Sequence, residues 1–479
     1  MSNEQQINSN GVSKLVWYDV ESVGLDTTIN QIAQFAAIVT DLEMNVIDKY
    51  NIRIKVKDGV PIFLGACLVT GMIPSNLLTV SSCNEYQFSC QLKDIIQDAV
   101  IIGYNNHGYD DKMITQCLYQ NLHSPYMYKM GNTGSLDVLT LVASVTNLTK
   151  DYKAELNDKG SKMLKLGSWC NANGIVVDES KTHDALYDVE LTIEAAKLIK
   201  TKSPQIFQDW FDSRLSAVVG KRLMSELYFR NVNVYFGKAY EQTCTYIMSD
   251  EKSAFLFDLA YDPKDVFSYT EEQLLDTLTV NKAKKYKPIR HIKINKAPML
   301  IRPKDTVLDD ETRKQYMEKI QYILNNPAIM AKFKAVCTRY TEQVNANWAT
   351  TPVTKGAHVA ERIHESFIEF GSTDELLMQD FHQTPRWTKR VKIAGQFTDE
   401  RLKEIAYKIV YDNAPHLLPK GKRKEIRDYN KQYLFNPNSK ITINSLITEV
   451  TNVMADPKKT EGKERIVKDY LMYLVNLQK

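Results

Sequence analysis

Lys14-Leu15-Val16-Trp17-Tyr18-Asp19-Val20-Glu21 is an apolar run that turns acidic at its end. That pattern predicts a buried β-strand whose C-terminal end emerges from the core. Side chains on a strand alternate faces, so Asp19 and Glu21, two residues apart, point to the same side. Two carboxylates aimed at one point repel unless a cation or a proton intervenes, and oxygen ligands suit hard divalent ions such as Mg2+ and Mn2+. Alone, such a pair is more often a solvated strand end than a metal site.

Two further stretches repeat the pattern. Ala99-Val100-Ile101-Ile102-Gly103-Tyr104 reads as a second short strand, followed by Asn105 and Asn106 as turn residues. Asp110 then begins a segment with Ile114, Cys117 and Leu118 at helical spacing. Asp110 and Asp111 also suit the first turn of a helix, where the macrodipole favours negative charge. In the third stretch His183 precedes Asp188 by five residues, and Val189, Thr192, Ile193 and Ala196 carry a helical apolar stripe. Five residues subtend roughly 140° on a helix, so His183 and Asp188 serve one site if the histidine lies in the approach and the acid on the helix. An imidazole at the mouth of such a site takes a proton from water near neutral pH, as phosphodiester hydrolysis requires.

The order D-x-E, then Y-D-D after a strand, then H-D-A-x-x-D resembles the DEDDh group of 3′ to 5′ exonucleases, and more closely the bacterial exonuclease I family. Gln34-Phe35-Ala36-Ala37-Ile38, Gly103-Tyr104-Asn105-Asn106, Ala172-Asn173-Gly174-Ile175, Phe255-Leu256-Phe257-Asp258-Leu259 and His291-Ile292-Lys293-Ile294-Asn295-Lys296 are similar to that family's sequence. The likeness therefore extends over most of the chain. By this resemblance Asp19, Glu21, Asp110 and Asp188 are the expected ligands of two Mg2+ ions, with Mn2+ as a substitute, and His183 is the expected general base. Lys165, where the family tends to have a basic residue, is the expected phosphate contact. Two positions depart from the pattern: Val23 stands where an aromatic residue is usual, and Gly108-Tyr109 where Arg-Phe is frequent.

Composition sets the outer limits. A chain of 479 residues with 43% hydrophobic and 10% aromatic content supports two to four packed domains at about 100 to 200 residues each. The polar stretch Met1 to Asn10 is no signal peptide, and no apolar run approaches the roughly 20 residues that span a bilayer. Seven cysteines without a C-x-x-C pair predict reduced thiols in a cytoplasmic setting and exclude a zinc ribbon. Net charge is only +3, so the placement of charge carries the information. Lys282, Lys284, Lys285, Lys287, Arg290, Lys293 and Lys296 run without an acid between them. Arg386, Trp387, Lys389, Arg390 and Lys392 form a second group, and Lys420, Lys422, Arg423 and Lys424 a third. Basic residues interleaved with aromatics track a phosphate backbone while rings stack on bases, although a charge run is also an ordinary solvated face.

Pattern and resemblance together divide the chain into an α/β, ribonuclease H-like DEDDh exonuclease domain at 1–202, a Src-homology-3-like barrel domain at 203–354 and a helical domain at 355–479. Strands are expected over Asn231–Tyr235, Thr245–Met248, Ala254–Leu259 and Ile289–Ile294, and helices over Ile363–Phe370, Glu400–Tyr411, Arg423–Leu434 and Glu464–Val475. The family implies a metal-dependent, processive 3′ to 5′ exonuclease of single-stranded DNA, a monomer acting in DNA repair or recombination. It also implies a partner, the acidic and hydrophobic tail of single-stranded DNA-binding protein. A DEDDh exoribonuclease or proofreading-type exonuclease, and a non-catalytic single-strand binding module, are the alternatives.

Overall fold

The computed structural model describes residues 12–79, 81–181, 184–235, 237–279, 286–350, 359–363, 372–439 and 441–477. The opening stretch is strand β1 (Lys14–Ser22), followed by β2 (Ile32–Thr40), β3 (Val46–Lys55), β4 (Cys83–Asn84), β5 (Ala99–Gly103) and β6 (Gly134–Asp137). They form one sheet in the order β4-β3-β2-β1-β5-β6. β1, β2 and β3 are antiparallel neighbours, whereas β5 runs parallel to β1 and β6 parallel to β5. β1 is central and covered on both faces, so its sequence is a continuous apolar run instead of an alternation. Leu15 and Trp17 enter one core, beneath helices Val138–Leu148 and Ala185–Lys202. Val16, Tyr18 and Val20 enter the other, beneath Glu85–Ile96 and Asp110–Tyr119. Helices on both faces of a mixed sheet give the expected α/β, ribonuclease H-like layering.

The break at Ser203-Pro204 is a helix start. Pro204 opens helix Pro204–Asp212, where its missing N–H costs nothing. Ile206, Phe207, Trp210 and Phe211 of that helix fill the same core as Leu15 and Trp17, and Trp210 Nε1 donates to the Asp137 carbonyl at 3.0 Å. The first core therefore continues beyond residue 202.

A second, antiparallel sheet has the order β10-β9-β8-β7-β11, from β7 (Phe229–Tyr235), β8 (Lys238–Ser249), β9 (Ser253–Asp258), β10 (Ile289–Lys293) and β11 (Leu300–Ile301). Phe255 and Phe257 on one face pack on Ile320, Ile323, Phe333 and Val336 of helices Asp310–Asn325 and Pro327–Thr350. Beyond residue 372 the described chain is helical, with Glu400–Asn413, Lys420–Phe435 and Glu464–Leu477 at three of the expected places. The fourth expected helix, Ile363–Phe370, lies outside the described residues except for Ile363. No helix among the described residues is long and apolar enough to cross a membrane.

The C-terminal helices dock on the first sheet's domain through two apolar clusters. Leu446, Val450, Tyr470 and Leu474 meet Leu64, Cys67 and Leu68, while Met378, Phe381 and Ile405 meet Tyr86, Tyr119 and Leu122. Polar groups set the register between them. Glu449 accepts from the Leu64 and Gly65 amides at 3.1 and 2.9 Å. Lys57 pairs with buried Glu85 and lies 3.8 Å from Asp412. Removing Lys57 leaves buried Glu85 without its ion-pair partner, so Lys57→Ala is expected to cost about 3 to 5 kcal/mol of stability, measured by urea unfolding.

Candidate active site

Asp19 and Glu21 occupy the C-terminal end of β1, on the face that carries Leu15 and Trp17. Helix Ala185–Lys202 packs on that face through Ala185 and Val189. Its start is fixed by Asp184, whose carboxylate accepts from the Leu186 and Tyr187 amides at 3.1 Å each, a good N-cap by its short acceptor side chain. Asp188 stands in the first turn of this helix and is thereby carried to the strand end. Asp110 arrives from the adjacent strand: β5 runs parallel to β1, with Trp17 opposite Ile102, so the two strands end side by side and the chain turns into helix Asp110–Tyr119 there.

The four acids interact electrostatically. Burial, then the charges of Asp110, Glu21 and Asp188, hold the Asp19 carboxyl well above the usual carboxylate range. Burial, then Asp188, pushes Glu21 up to about 7, and burial above all pushes Asp110 up to about 8. Among the described residues no lysine or arginine pairs with Asp19, Glu21 or Asp110, whereas Asp111 beside them has Lys129 at 3.5 Å. No three of the four acids bring ligand oxygens within 4.8 Å of one another, as expected of facing like charges. An all-oxygen donor set of this charge fits hard divalent cations.

His183 lies outside the described residues. Lys165 stands exposed at the start of helix Leu166–Ala172 and makes no described contact with the four acids. The Tyr104 hydroxyl donates to the neighbouring Leu164 carbonyl and so ties this segment to the end of β5.

Some residues that the sequence marked only as a helix-start acid or as a departure from the family pattern support the site. Asp111 is one: its Oδ1 accepts from the Tyr18 hydroxyl at 2.6 Å, Ser135 Oγ at 2.9 Å and Asn106 Nδ2 at 3.0 Å. It locks the Asp110 helix to β1 and β6. Gly103 has the close approach this needs, since a Cβ there would stand 2.7 Å from Asn106 Cβ. Asn105 supplies the turn with a left-handed φ of 62°. Tyr109 is another. Its hydroxyl donates to the Gly24 carbonyl at 2.5 Å and also meets Ser22 Oγ, so it clamps the loop that follows Glu21 against the residue that precedes Asp110. The other departure, Val23, is turned into the apolar core shared with the C-terminal helices.

A cavity of about 570 Å3 opens beside Asp111 and Lys112, where the first domain meets the segments around Lys296 and Glu361. Lys112, Lys129, Arg214 and Lys296 face it. Of the basic runs, Lys282, Lys284 and Lys285 lie outside the described residues. Arg290 is neutralised by Asp258 at 2.7 Å. Arg390 lies over the Trp387 ring at 4.3 Å and donates to the Thr384 carbonyl. Lys422 and Lys424 pair along their helix with Glu425 and Asp428. Of the cations facing the cavity, Lys129 is paired with Asp111 and Arg214 lies over the Phe211 ring, whereas Lys112 and Lys296 have no ion pair among the described residues.

Tyr109→Phe is expected to lower stability by about 1 kcal/mol, read by urea unfolding, and to slow turnover by loosening Glu21 against Asp110. A pH dependence follows from the raised carboxyls. Unfolded Asp and Glu release their protons near pH 4, but the folded state keeps them to about pH 7 on Glu21 and about pH 8 on Asp110. The unfolded chain therefore binds fewer protons over that interval, and the metal-free fold loses stability as pH rises from about 4 to 8. Thermal melts in chelator should show the fall, and excess Mg2+ should suppress it.

The family profile described as "Exonuclease" matches residues 16–196, and that described as "Exonuclease I C-terminal domain" matches residues 358–477; together they take in more than half of the chain. Exodeoxyribonuclease I of Escherichia coli strain K12 is 26% identical over 450 residues, with 89% of this chain and 90% of that protein covered. The fold is similar to the crystal structure of E. coli exonuclease I in complex with a dA16 oligonucleotide, at a TM-score of 0.79 and 22% identity, covering 97% of this chain and all of that one. It is similar also to an ExoI/SSB-Ct complex, at a TM-score of 0.78 and 21% identity, covering 97% and 99%. Divalent-metal dependence is a property of the exonuclease domain family. With the exonuclease domain at one end, the exonuclease I C-terminal domain at the other and the same fold throughout, the chain belongs to the exonuclease I family.

Proposed function

We propose that this protein is a hydrolytic 3′ to 5′ exodeoxyribonuclease that shortens single-stranded DNA processively to 5′-mononucleotides. The observation that carries the reading is the convergence of Asp19, Glu21, Asp110 and Asp188 from three separated segments into one acidic site, where burial and mutual repulsion raise the Asp19 and Glu21 carboxyls. The E. coli relative is named exodeoxyribonuclease I and its structural counterpart holds a DNA oligonucleotide, so neither the exoribonuclease or proofreading reading nor the binding-module reading is favoured.

Asp19, Glu21, Asp110 and Asp188 are the residues that would hold two Mg2+ ions, since four carboxylates supply the oxygen ligands and the charge that a two-metal site needs. Bound there, the ions supply an activated water and charge stabilisation for the leaving 3′-oxygen. The chain's own groups do the rest. His183 receives the proton of the attacking water, as general base. Asp111 and Tyr109 hold the strand end and the helix start in register so that the acids face one phosphodiester. Hydrolysis in line releases a 5′-mononucleotide and leaves a new 3′-hydroxyl for the next cycle. Lys165 contacts a phosphate near the terminus. Lys112, Lys129, Arg214 and Lys296 line the approach of the strand, where backbone contacts slow its escape between cleavages.

The division into an exonuclease domain, a Src-homology-3-like barrel domain and a helical domain belongs to the same proposal, with helix Pro204–Asp212 packed on the first core. So do a monomeric state, a cytoplasmic role in repair or recombination, and recruitment by the tail of single-stranded DNA-binding protein, the last supported by the similarity to an ExoI/SSB-Ct complex.

A 5′-labelled single-stranded DNA, its duplex and an RNA of the same sequence are to be incubated with the protein and Mg2+, beside Asp19→Ala. Stepwise shortening of the single-stranded DNA from its 3′ end is expected, with the variant slower by several orders of magnitude. Comparable shortening of the RNA, or an active Asp19→Ala, would count against the proposal.

A further inference from the structure

Outside the acidic site, one other group of side chains has the composition and closeness of a metal site. Cys90 on helix Glu85–Ile96, His123 in the turn after helix Asp110–Tyr119 and His382 on helix Thr373–Gln383 each offer one ligand atom, and these lie within 4.8 Å of one another. Among the described residues no other three His, Cys, Asp or Glu do so.

The surroundings favour ligation. His382 Nε2 donates to the Leu122 carbonyl at 3.0 Å, which leaves Nδ1 as the unprotonated, lone-pair nitrogen. A histidine whose second nitrogen is held by a backbone carbonyl is oriented for metal binding. That Nδ1 stands 3.9 Å from Cys90 Sγ and accepts from the Tyr86 hydroxyl at 3.1 Å. A tetrahedral zinc with Zn–S of about 2.3 Å and Zn–N of about 2.0 Å places sulfur and nitrogen about 3.5 Å apart, a small closing from the distance observed. Burial lowers His123 to about 2 and His382 to about 4, so both imidazoles are neutral at pH 7, the form that ligates. Burial pushes the Cys90 thiol up from its ordinary value, with the Arg390 guanidinium opposing that rise, so ligation has to displace the thiol proton.

We propose that Cys90, His123 and His382 bind a thiophilic d10 cation such as Zn2+ at the junction between the exonuclease domain and the C-terminal helices. Binding releases the Cys90 thiol proton to solvent, frees Nδ1 of His382 from the Tyr86 hydroxyl and leaves a fourth position to water. It also turns one ring. The imidazoles are stacked, with centroids 4.0 Å and planes 10° apart, and parallel rings do not share an ion in both their planes. His123 is the ring that moves, giving up its bond to Ser89 Oγ at 3.2 Å. Because His382 comes from the C-terminal helices and the other two ligands from the exonuclease domain, the ion ties the two together.

Cobalt(II), a spectroscopic stand-in for zinc, tests this in the full-length protein with a phosphine reductant and saturating Mg2+, which occupies oxygen-ligand sites. The expected result is a thiolate-to-cobalt charge-transfer band that saturates at one equivalent, is bleached by Zn2+ and is lost in Cys90→Ser. The thermal midpoint should rise with Zn2+ in the wild-type protein and not in that variant. Circular dichroism and Mg2+-dependent nuclease activity are to be recorded for Cys90→Ser as evidence that it folds. No band in the wild-type protein, or a band that persists unchanged in folded Cys90→Ser, would overturn the proposal.

Discussion

Like charges held close together in a partly dry site push one another apart, and the architecture around Asp19, Glu21, Asp110 and Asp188 is what opposes that push. No side-chain cation among the described residues pairs with Asp19, Glu21 or Asp110, so their positions come from the backbone. Parallel pairing brings the ends of β1 and β5 side by side, apolar cores fix both faces of the sheet, and an N-cap sets where the Asp188 helix begins. Such strain at a functional site is tolerable only because burial elsewhere over-determines the geometry. The same electrostatics make the site ready for divalent metal, since an ion replaces the protons that the raised carboxyls otherwise retain.

The contrast between Asp110 and Asp111 shows how local geometry separates chemistry from support. The two are adjacent, equally acidic and in the same helical turn, but successive helix positions point about 100° apart. Asp111 is turned to Tyr18, Asn106 and Ser135, whereas Asp110, also buried, is set among the charges of Asp19 and Glu21. Tyr109 completes the arrangement by binding the loop after β1 through its hydroxyl, a use of that position that a phenylalanine does not offer.

Much of this was legible in the chain. The doubly buried β1, the strand-to-helix turn at Asp110 and the helix carrying Asp188 follow from apolar patterning and turn residues, and the order of acidic motifs identified the family. Other features were not legible because they depend on pairs far apart in sequence. Pro204 looked like a boundary, yet Trp210 and its neighbours return to the first core. Arg290 and Arg390 looked like free charge, yet Asp258 and the Trp387 ring take them up. The Cys90, His123 and His382 group spans 292 residues, a separation at which no spacing rule operates. It was invisible to a search for paired cysteines.

The C-terminal helices close against the exonuclease domain over two apolar clusters, and the cationic cavity lies where the segments meet. A strand threaded there would be held by its backbone, and the proposed cleavage is the work of Asp19, Glu21, Asp110 and Asp188. Everything in this account turns on those acids binding metal. The most direct measurement is a calorimetric count of Mn2+ bound by the protein without DNA, for wild type and Asp19→Ala, with proton release followed in buffers of different ionisation enthalpy. Two ions in the wild-type protein with proton release, and loss of tight binding in a folded Asp19→Ala, are the predicted result. Unchanged Mn2+ binding in that variant, or none in the wild type, would contradict the account.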